Sequence, residues 1–343
     1  MDAFRIPILL ISFNRPDHVR KVLVEIRKQK PMQLFVCQDG PRDWKDGYDK
    51  AILKNGRIVR ADDLNKVLAV RQAIDELVDW DCELHTLYQD NNLGCGAGPM
   101  TGIDWFFKNV DMGIVMEDDC LPHPDFFGYC EELLDKYKDD YNVRFINSTL
   151  YDNRWTCEDS YGFSRYMVTG AWAGWKRTWE RFDLDLRNLD SKKFRKHVLS
   201  LTDNRAEADW WYFLVKEIQH DNSKKSYWDY QMQINLFLQN AITIHPKCNL
   251  ISNIGFDAEG THTMSNDGRG DREVFPILPL RHPNNIYVDK SKDEYCWAKT
   301  HSKGILKDTI NYIYQSLLWS DGVGHNLLMK YKNFKGSGVT HRV

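Results

Sequence analysis

Three adjacent acids, Glu117-Asp118-Asp119, follow directly on the apolar run Gly113-Ile-Val-Met116. A run of that kind reads as a short buried strand, so it delivers three carboxylates to one edge of a sheet. Crowded carboxylates repel one another unless a cation or strong hydrogen-bond donors compensate them. Mg²⁺ or Mn²⁺ suits such oxygen ligands, commonly together with substrate phosphates; the plainer alternative is acids that cap the next helix or face solvent. Asp39 follows a second apolar run, Met32 to Cys37. A carboxylate there can accept from the polar edge of a base or ribose, or can close an Asx turn before Gly40-Pro41. Arg15 follows a third run, Ile6 to Phe13, where its guanidinium suits a phosphate or a surface ion pair. The coincidence of Arg15, Asp39 and Glu117 to Asp119 at three strand ends outweighs any single member.

The second half of the chain supplies a different set. Asp229, in Tyr227-Trp-Asp-Tyr230, and Asp209, in Glu207-Ala-Asp-Trp-Trp-Tyr, are two acids beside tryptophans. Each also sits where a helix would take a capping acid. His262 lies in a polar loop, either solvent-facing or folded towards metal and phosphate. Trp172, Trp175 and Trp228 offer flat aromatic faces, or core packing.

Strands and helices must bring these residues together. After the strand at Ile6 to Phe13, Val19, Val22, Leu23 and Ile26 follow helical spacing, with Asp17 as a first-turn acid. Further helices are expected at Asp62 to Leu77, Ala97 to Asn109 and Pro124 to Tyr137, and a strand at Glu83 to Tyr88. Four strand–helix repeats predict an α/β fold with parallel, right-handed crossovers, and functional residues beyond the carboxyl ends of the strands. Later segments are less regular: strands at Val143 to Ser148, Tyr166 to Ala173 and Ile242 to His245, and helices at Trp175 to Phe182, Ala206 to Gln219 and Trp228 to Gln239. A polar connection is expected over Asp183 to Asn204, and a loop over Ser252 to Arg272.

Composition narrows the classes. The chain has 343 residues, with 46 basic against 49 acidic side chains, which argues against a nucleic-acid-coating protein. Aromatic residues make up 13%, including 12 Trp, which argues against disorder. The eight cysteines form no CxxC pairs and read as small buried hydrophobes in a reducing, cytoplasmic setting. No apolar stretch is long enough for a membrane span. The segment Ile305 to Tyr331, followed by Lys330, Lys332 and Lys335 in a basic tail, reads as packing, or as weak peripheral association at the inner face of a membrane. There is no GxxxxGK[ST] loop, HExxH or GxSxG, and Gly94-Cys-Gly-Ala-Gly98 lacks the setting of a dinucleotide fingerprint.

Taken together, Ile8-Leu-Leu-Ile-Ser-Phe-Asn-Arg-Pro16, Val36-Cys-Gln-Asp-Gly40, Asn92-Leu-Gly94 and Val115-Met-Glu-Asp-Asp119 resemble the nucleotide-diphospho-sugar transferases of the GT-A fold. The pattern is most similar to the inverting N-acetylglucosaminyltransferase I type and its bacterial relatives. It continues through Gly170-Ala-Trp-Ala-Gly-Trp175, Tyr227-Trp-Asp-Tyr230 and Pro246-Lys-Cys-Asn-Leu-Ile-Ser-Asn253, in the same order. The resemblance implies a GT-A-like domain: residues 1–140 hold the nucleotide sugar, residues 141–270 the acceptor and catalytic base, and residues 271–343 pack on it as an extension. It places Arg15 near the nucleotide phosphates, Asp39 on the base, Asp119 on manganese, Glu117 and Asp118 near ribose, sugar or metal-bound water, and Asp229 as general base. For the transfer this implies, Asp209 is the second candidate base, and Trp172 and Trp228, with Trp175 near them, are expected on the acceptor side as sugar-stacking faces.

The chain departs from the eukaryotic relatives in having Gly94-Cys-Gly-Ala-Gly-Pro99 where they carry a phosphate-assisting histidine. It also shows no membrane anchor, so their N-glycan acceptor is not carried over. The expected activity is metal-dependent inverting transfer of a sugar (N-acetylglucosamine among the candidates) from a nucleotide-diphosphate donor, UDP favoured, to a saccharide or glycoconjugate hydroxyl in polysaccharide biosynthesis. The alternatives are a nucleotidyltransferase that makes the sugar nucleotide, and a non-enzymatic carbohydrate-binding module.

Overall fold

The computed structural model describes residues 4–45, 51–150, 158–220, 228–256 and 272–301. The chain divides into two compact units, one of Met1–Leu184 with Ser226–Asp289, the other of Asp185–Lys225 with Lys290–Val343.

The first unit is built on a mixed sheet. Strand β1 (Ile8–Ser12) is buried along its whole length, as its unbroken apolar sequence requires of a strand covered on both faces. It is followed by α1 (Pro16–Gln29), which opens with proline at its first turn, carries Asp17 there, and buries Val19, Val22, Leu23 and Ile26. Lys30 ends it in the left-handed region at φ 50°. Next come β2 (Gln33–Gln38), the hairpin β3 (Ala51–Lys54) and β4 (Arg57–Arg60), α2 (Ala61–Leu77), β5 (Glu83–Tyr88), α3 (Gly94–Asn109), β6 (Met112–Glu117), the short β7 (Cys120–Pro122) and α4 (Asp125–Lys136). Beyond these lie β8 (Val143–Asn147), β9 (Tyr161–Ser164), β10 (Ala171–Trp175), α5 (Lys176–Trp179), α8 (Trp228–Leu238), β11 (Ile242–Pro246) and β12 (Ile251–Asn253).

Strand order across the large sheet is β5-β2-β1-β6-β10-β8-β11-β9. The first four strands are mutually parallel, whereas β10 runs antiparallel to both β6 and β8. This is the expected α/β, Rossmann-like and GT-A-like architecture, with α1, α2 and α4 contributing buried residues to one apolar core and α3 and α8 to another. The carboxyl ends are level. Ser12 pairs with Gln38, Gln38 with Tyr88, and Ile11 with Glu117, so the residues that follow each strand emerge along one edge.

Several local expectations change. The polar stretch Asp183 to Asn204 contains a helix in the second unit, α6 (Ser191–Thr202), capped by the Asp190 carboxylate on the Lys192 and Lys193 amides. Only Phe194 and Val198 are buried in it, so the apolar stripe is too thin to stand out in the sequence. It is joined there by α7 (Arg205–His220) and α9 (Lys290–His301). The β3–β4 hairpin turns at Asn55-Gly56, with φ 49° and 78°, the positive angles that an Asn-Gly pair tolerates best. The strand expected over Tyr166 to Ala173 is β10, and the helix expected after it shrinks to one turn. Residues 272–289 run across the first unit, where the Asp125 carboxylate accepts from the Ile277 and Leu278 amides. Residues Ile305 to Tyr331 and the basic tail lie outside the described residues. Among the described residues no helix is long and apolar enough to cross a membrane.

Leu10 is wholly buried in the central strand. Leu10→Ala should therefore cost about 2–5 kcal/mol, measured as a lower urea midpoint with an unchanged slope.

Candidate active site

The level strand ends open onto a cleft of about 420 Å³, lined among others by Phe13, Arg15, Asp39, Arg42, Gln89, Gly98, Glu117, Asp118, Asp119, Trp228 and Gly255. Residues from the β1, β2 and β6 ends, expected separately from the sequence, thus share one surface, and the start of α8 joins them.

Its floor is the acid triplet. Asp118 is almost completely enclosed, with 3% of its side chain exposed, while 14% of Asp119 reaches solvent. Arg15 bridges them, Nη2 lying 3.0 Å from Asp118 Oδ1 and Nη1 donating to Asp119 Oδ2 at 3.1 Å. The Phe13 amide donates to the other Asp118 oxygen at 3.2 Å. Burial pushes Glu117 up to about 8, reinforced by the charges of Asp119 and Asp118 and, more weakly, of Asp229; only Arg15 opposes the rise. Asp118 is raised less, to about 6, because burial is partly offset by Arg15 and the Phe13 amide. Arg15 itself keeps its proton more firmly than usual, the neighbouring acids outweighing the cost of its burial.

A glycine completes this corner. Strand β12 pairs with β7, Asn253 opposite Cys120, and the Ile254 amide donates to the Asp119 carbonyl at 2.8 Å. That register presses Gly255 onto the ion pair: a Cβ there would lie 2.3 Å from Asp119 Oδ2 and 2.9 Å from Arg15 Nη1. The sequence suggests only that the polar stretch from Gly255 to His262 covers something; the tertiary pairing of two three-residue strands is what brings Gly255 to the ion pair.

Asp39 is committed as well. Oδ1 accepts from the Gly40 and Leu93 amides at 2.9 and 2.7 Å; Oδ2 accepts from the Gly94 amide at 2.9 Å and from Asn92 Nδ2 at 3.0 Å. These bonds tie β2 to the first turn of α3 and explain why the helix begins at Gly94, ahead of the expected Ala97. Burial nevertheless leaves the Asp39 carboxyl above its ordinary value.

The remaining candidates separate. Asp229 stands in the first turn of α8, half-buried, beside Trp228, and its charge reaches Glu117. Trp172, expected on the acceptor side, is a core residue instead. It is 1% exposed and stacks on Phe145 at 4.6 Å, so it has no free face for a sugar. Trp175 is likewise buried, with Arg177 over its ring at 4.2 Å. Trp228 is largely buried yet lines the cleft. Asp209 belongs to the second unit, where it pairs with Arg195. His262 lies outside the described residues.

The resemblance implies a divalent cation at Asp119. Among the described residues, no three His, Cys, Asp or Glu side chains are grouped to hold a metal ion. Asp119 offers a partly exposed carboxylate in the cleft lining, with the Arg15 guanidinium at one of its oxygens, and Glu117 lines the same cleft. This donor set fits a cation that takes its other oxygens from a ligand and water, and does not fit a closed protein cage.

No protein-family model matches the chain, and comparison with curated proteins returns no match. Solved structures with partial similarity include UDP-glucose pyrophosphorylase complexed with UDP-glucose, at 12% identity over 51% of this chain and 78% of that one, TM-score 0.29. HddC from Yersinia pseudotuberculosis matches at 8% identity over 50% and 78%, TM-score 0.29. An apo UDP-glucose pyrophosphorylase matches at 10% identity over 73% and 93%, TM-score 0.36. Scores this low carry no functional weight; the fold is read from the strand order itself.

Glu117 generates a pH prediction. Its folded-state value of about 8 lies above the ordinary 4.5, so between these values the native protein binds more protons than the unfolded chain. The corresponding stability is complete below the lower value and is lost as pH rises towards the upper one. In thermal melts of the ligand-free protein, the midpoint should fall from about pH 5 to about pH 8. Glu117→Gln should flatten this slope above about pH 6, where Asp118 has largely titrated. An unaltered slope would assign the effect to other groups.

Proposed function

We propose that this chain is a nucleotide-sugar enzyme that transfers the sugar to a hydroxyl of a saccharide or glycoconjugate acceptor with inversion. One observation carries the reading: a single cleft at level strand ends is lined by the Arg15-bridged acids and Trp228, and Asp229, the residue after Trp228, is near enough for its charge to act on Glu117. Arg15 is the cation available to a diphosphate, and Trp228 supplies an apolar wall beside the candidate base. Asp229 takes the acceptor proton. The hydroxyl oxygen attacks the anomeric carbon as the bond to the nucleotide diphosphate breaks, and the electron pair leaves with the phosphate. A divalent cation, when bound at Asp119, would neutralise charge on that leaving group.

The second reading is synthesis of the sugar nucleotide from a nucleoside triphosphate and a sugar 1-phosphate, the direction named by the partly similar pyrophosphorylases. Against it stands the loop after β1, Phe13-Asn-Arg-Pro16, which has no glycine-rich cradle for a triphosphate. A purely carbohydrate-binding module accounts for neither the acids nor Arg15.

The two enzymatic directions are separated by their products. With UDP-N-acetylglucosamine, UDP-glucose and a saccharide panel, release of UDP is expected, without pyrophosphate from UTP and sugar 1-phosphates; pyrophosphate release alone would establish the second reading. Asp229→Asn should lower transfer by about 10²–10⁴-fold while leaving UDP affinity, measured by calorimetry, within about twofold of the parent. Transfer near the parent rate would require another base.

A further inference from the structure

We propose that the nucleobase of the donor is contacted by the side chain of Gln89, while Asp39 acts through the backbone it holds. The inference rests on the nucleotide-sugar reading and deepens it.

The cleft has a polarity set by strand order. Arg15 and the acids lie at the β1–β6 end, so the diphosphate belongs there. The opposite end is formed by the residues after β2 and β5. Three inter-strand steps separate β5 from β6, about 14 Å, a span suited to a nucleoside lying along the strand ends with its phosphates over Arg15. The base then falls beside Asp39 and Gln89, which are level with Phe13 because the ladder continues one residue past each strand. The Asp39 amide donates to Ser12 O at 3.0 Å, and the Gln89 amide to Gln38 O at 2.9 Å.

At that end the polar groups differ in what they have left to offer. A carboxylate has about four acceptor positions, and Asp39 fills four with the Gly40, Leu93 and Gly94 amides and Asn92. Gly98 approaches the same carboxylate, a Cβ there lying 3.3 Å from Oδ2. Asn92 Nδ2 is taken by Asp39 and by the Gly40 carbonyl at 3.0 Å. Arg42 is locked onto Asp63 by Nε and Nη2 at 2.6 and 2.8 Å, with its guanidinium over the Phe13 ring. Gln89 is half-buried in the lining, and its side-chain amide has no hydrogen-bond partner among the described residues. It presents one donor and one acceptor together, the complement of the amide edge of a base.

The test is isothermal titration of the full chain with UDP and, separately, with inorganic pyrophosphate, which lacks the base. Gln89→Ala should weaken UDP about tenfold and leave pyrophosphate unchanged. Asp39→Asn should weaken UDP and at the same time speed hydrogen exchange at the Leu93 and Gly94 amides, since it removes an acceptor those amides use. The proposal is overturned if Gln89→Ala binds UDP as the parent does, or if Asp39→Asn loses UDP selectively with those amides still protected. Absence of UDP binding by the parent protein would remove the nucleotide-sugar reading as well, and would appear before any variant is compared.

Discussion

Burial of carboxylates at the end of β6 is the constraint around which the first unit is arranged. Asp118 has almost no contact with solvent, and Glu117 feels the charges of both Asp119 and Asp118. Ionised acids in such a place require a fixed positive partner, and removing one member of a buried pair typically costs about 3–5 kcal/mol. Arg15 is that partner, and its placement follows from the fold. Strand β1 is the parallel neighbour of β6, its residue Ile11 level with Glu117, and Pro16 starts α1 immediately after the arginine. The short loop between them holds the guanidinium against both acids. Even so, one cation faces three carboxylates, and burial, reinforced by the charges of Asp119 and Asp118, pushes the Glu117 carboxyl up.

A second, independent clamp shapes the other end of the cleft. Glycines and a proline at the start of α3 ought to discourage a helix. Asp39 offsets this by accepting the Leu93 and Gly94 amides, which otherwise begin a helix unpaired. The small residues then become necessary: Gly98 passes the Asp39 carboxylate, and at Gly102 a Cβ would come within 2.8 Å of the Cys37 Cβ. Helix and strand can meet this closely only without side chains between them, so composition that looks like a loop specifies a tightly docked helix.

These two corners show which features were readable in the sequence. Strands β1, β2 and β6 are continuous apolar runs with a charged residue just beyond, so both the strands and the convergence of Arg15, Asp39 and the acids could be anticipated. The Asn55-Gly56 turn carried its signal openly, although the flanking strands have only four residues each. Helix α6 and the β7–β12 pair were not readable, because two buried side chains or three-residue strands make no period. Nor could residue type assign the tryptophans. Whether Trp172 stacks on a sugar or on Phe145 is decided by β10 lying between β6 and β8, a long-range pairing that no local pattern encodes.

Charge balance gives the cleft a further property. With Glu117 protonated, Arg15 supplies one positive charge against two negative ones on Asp118 and Asp119. A diphosphate adds more negative charge to a floor that is already deficient in cations, and Arg15 cannot serve it fully while holding both acids. Each contact Arg15 transfers to a phosphate leaves a carboxylate uncompensated in a partly dry site, where interactions between charges are strong. The entering ligand therefore gains most if positive charge arrives with it, as a cation shared with the partly exposed Asp119 or as a proton on an acid. On the proposed reading, the same acids that depend on Arg15 in the free protein would thereby couple binding of a diphosphate to uptake of a counter-charge.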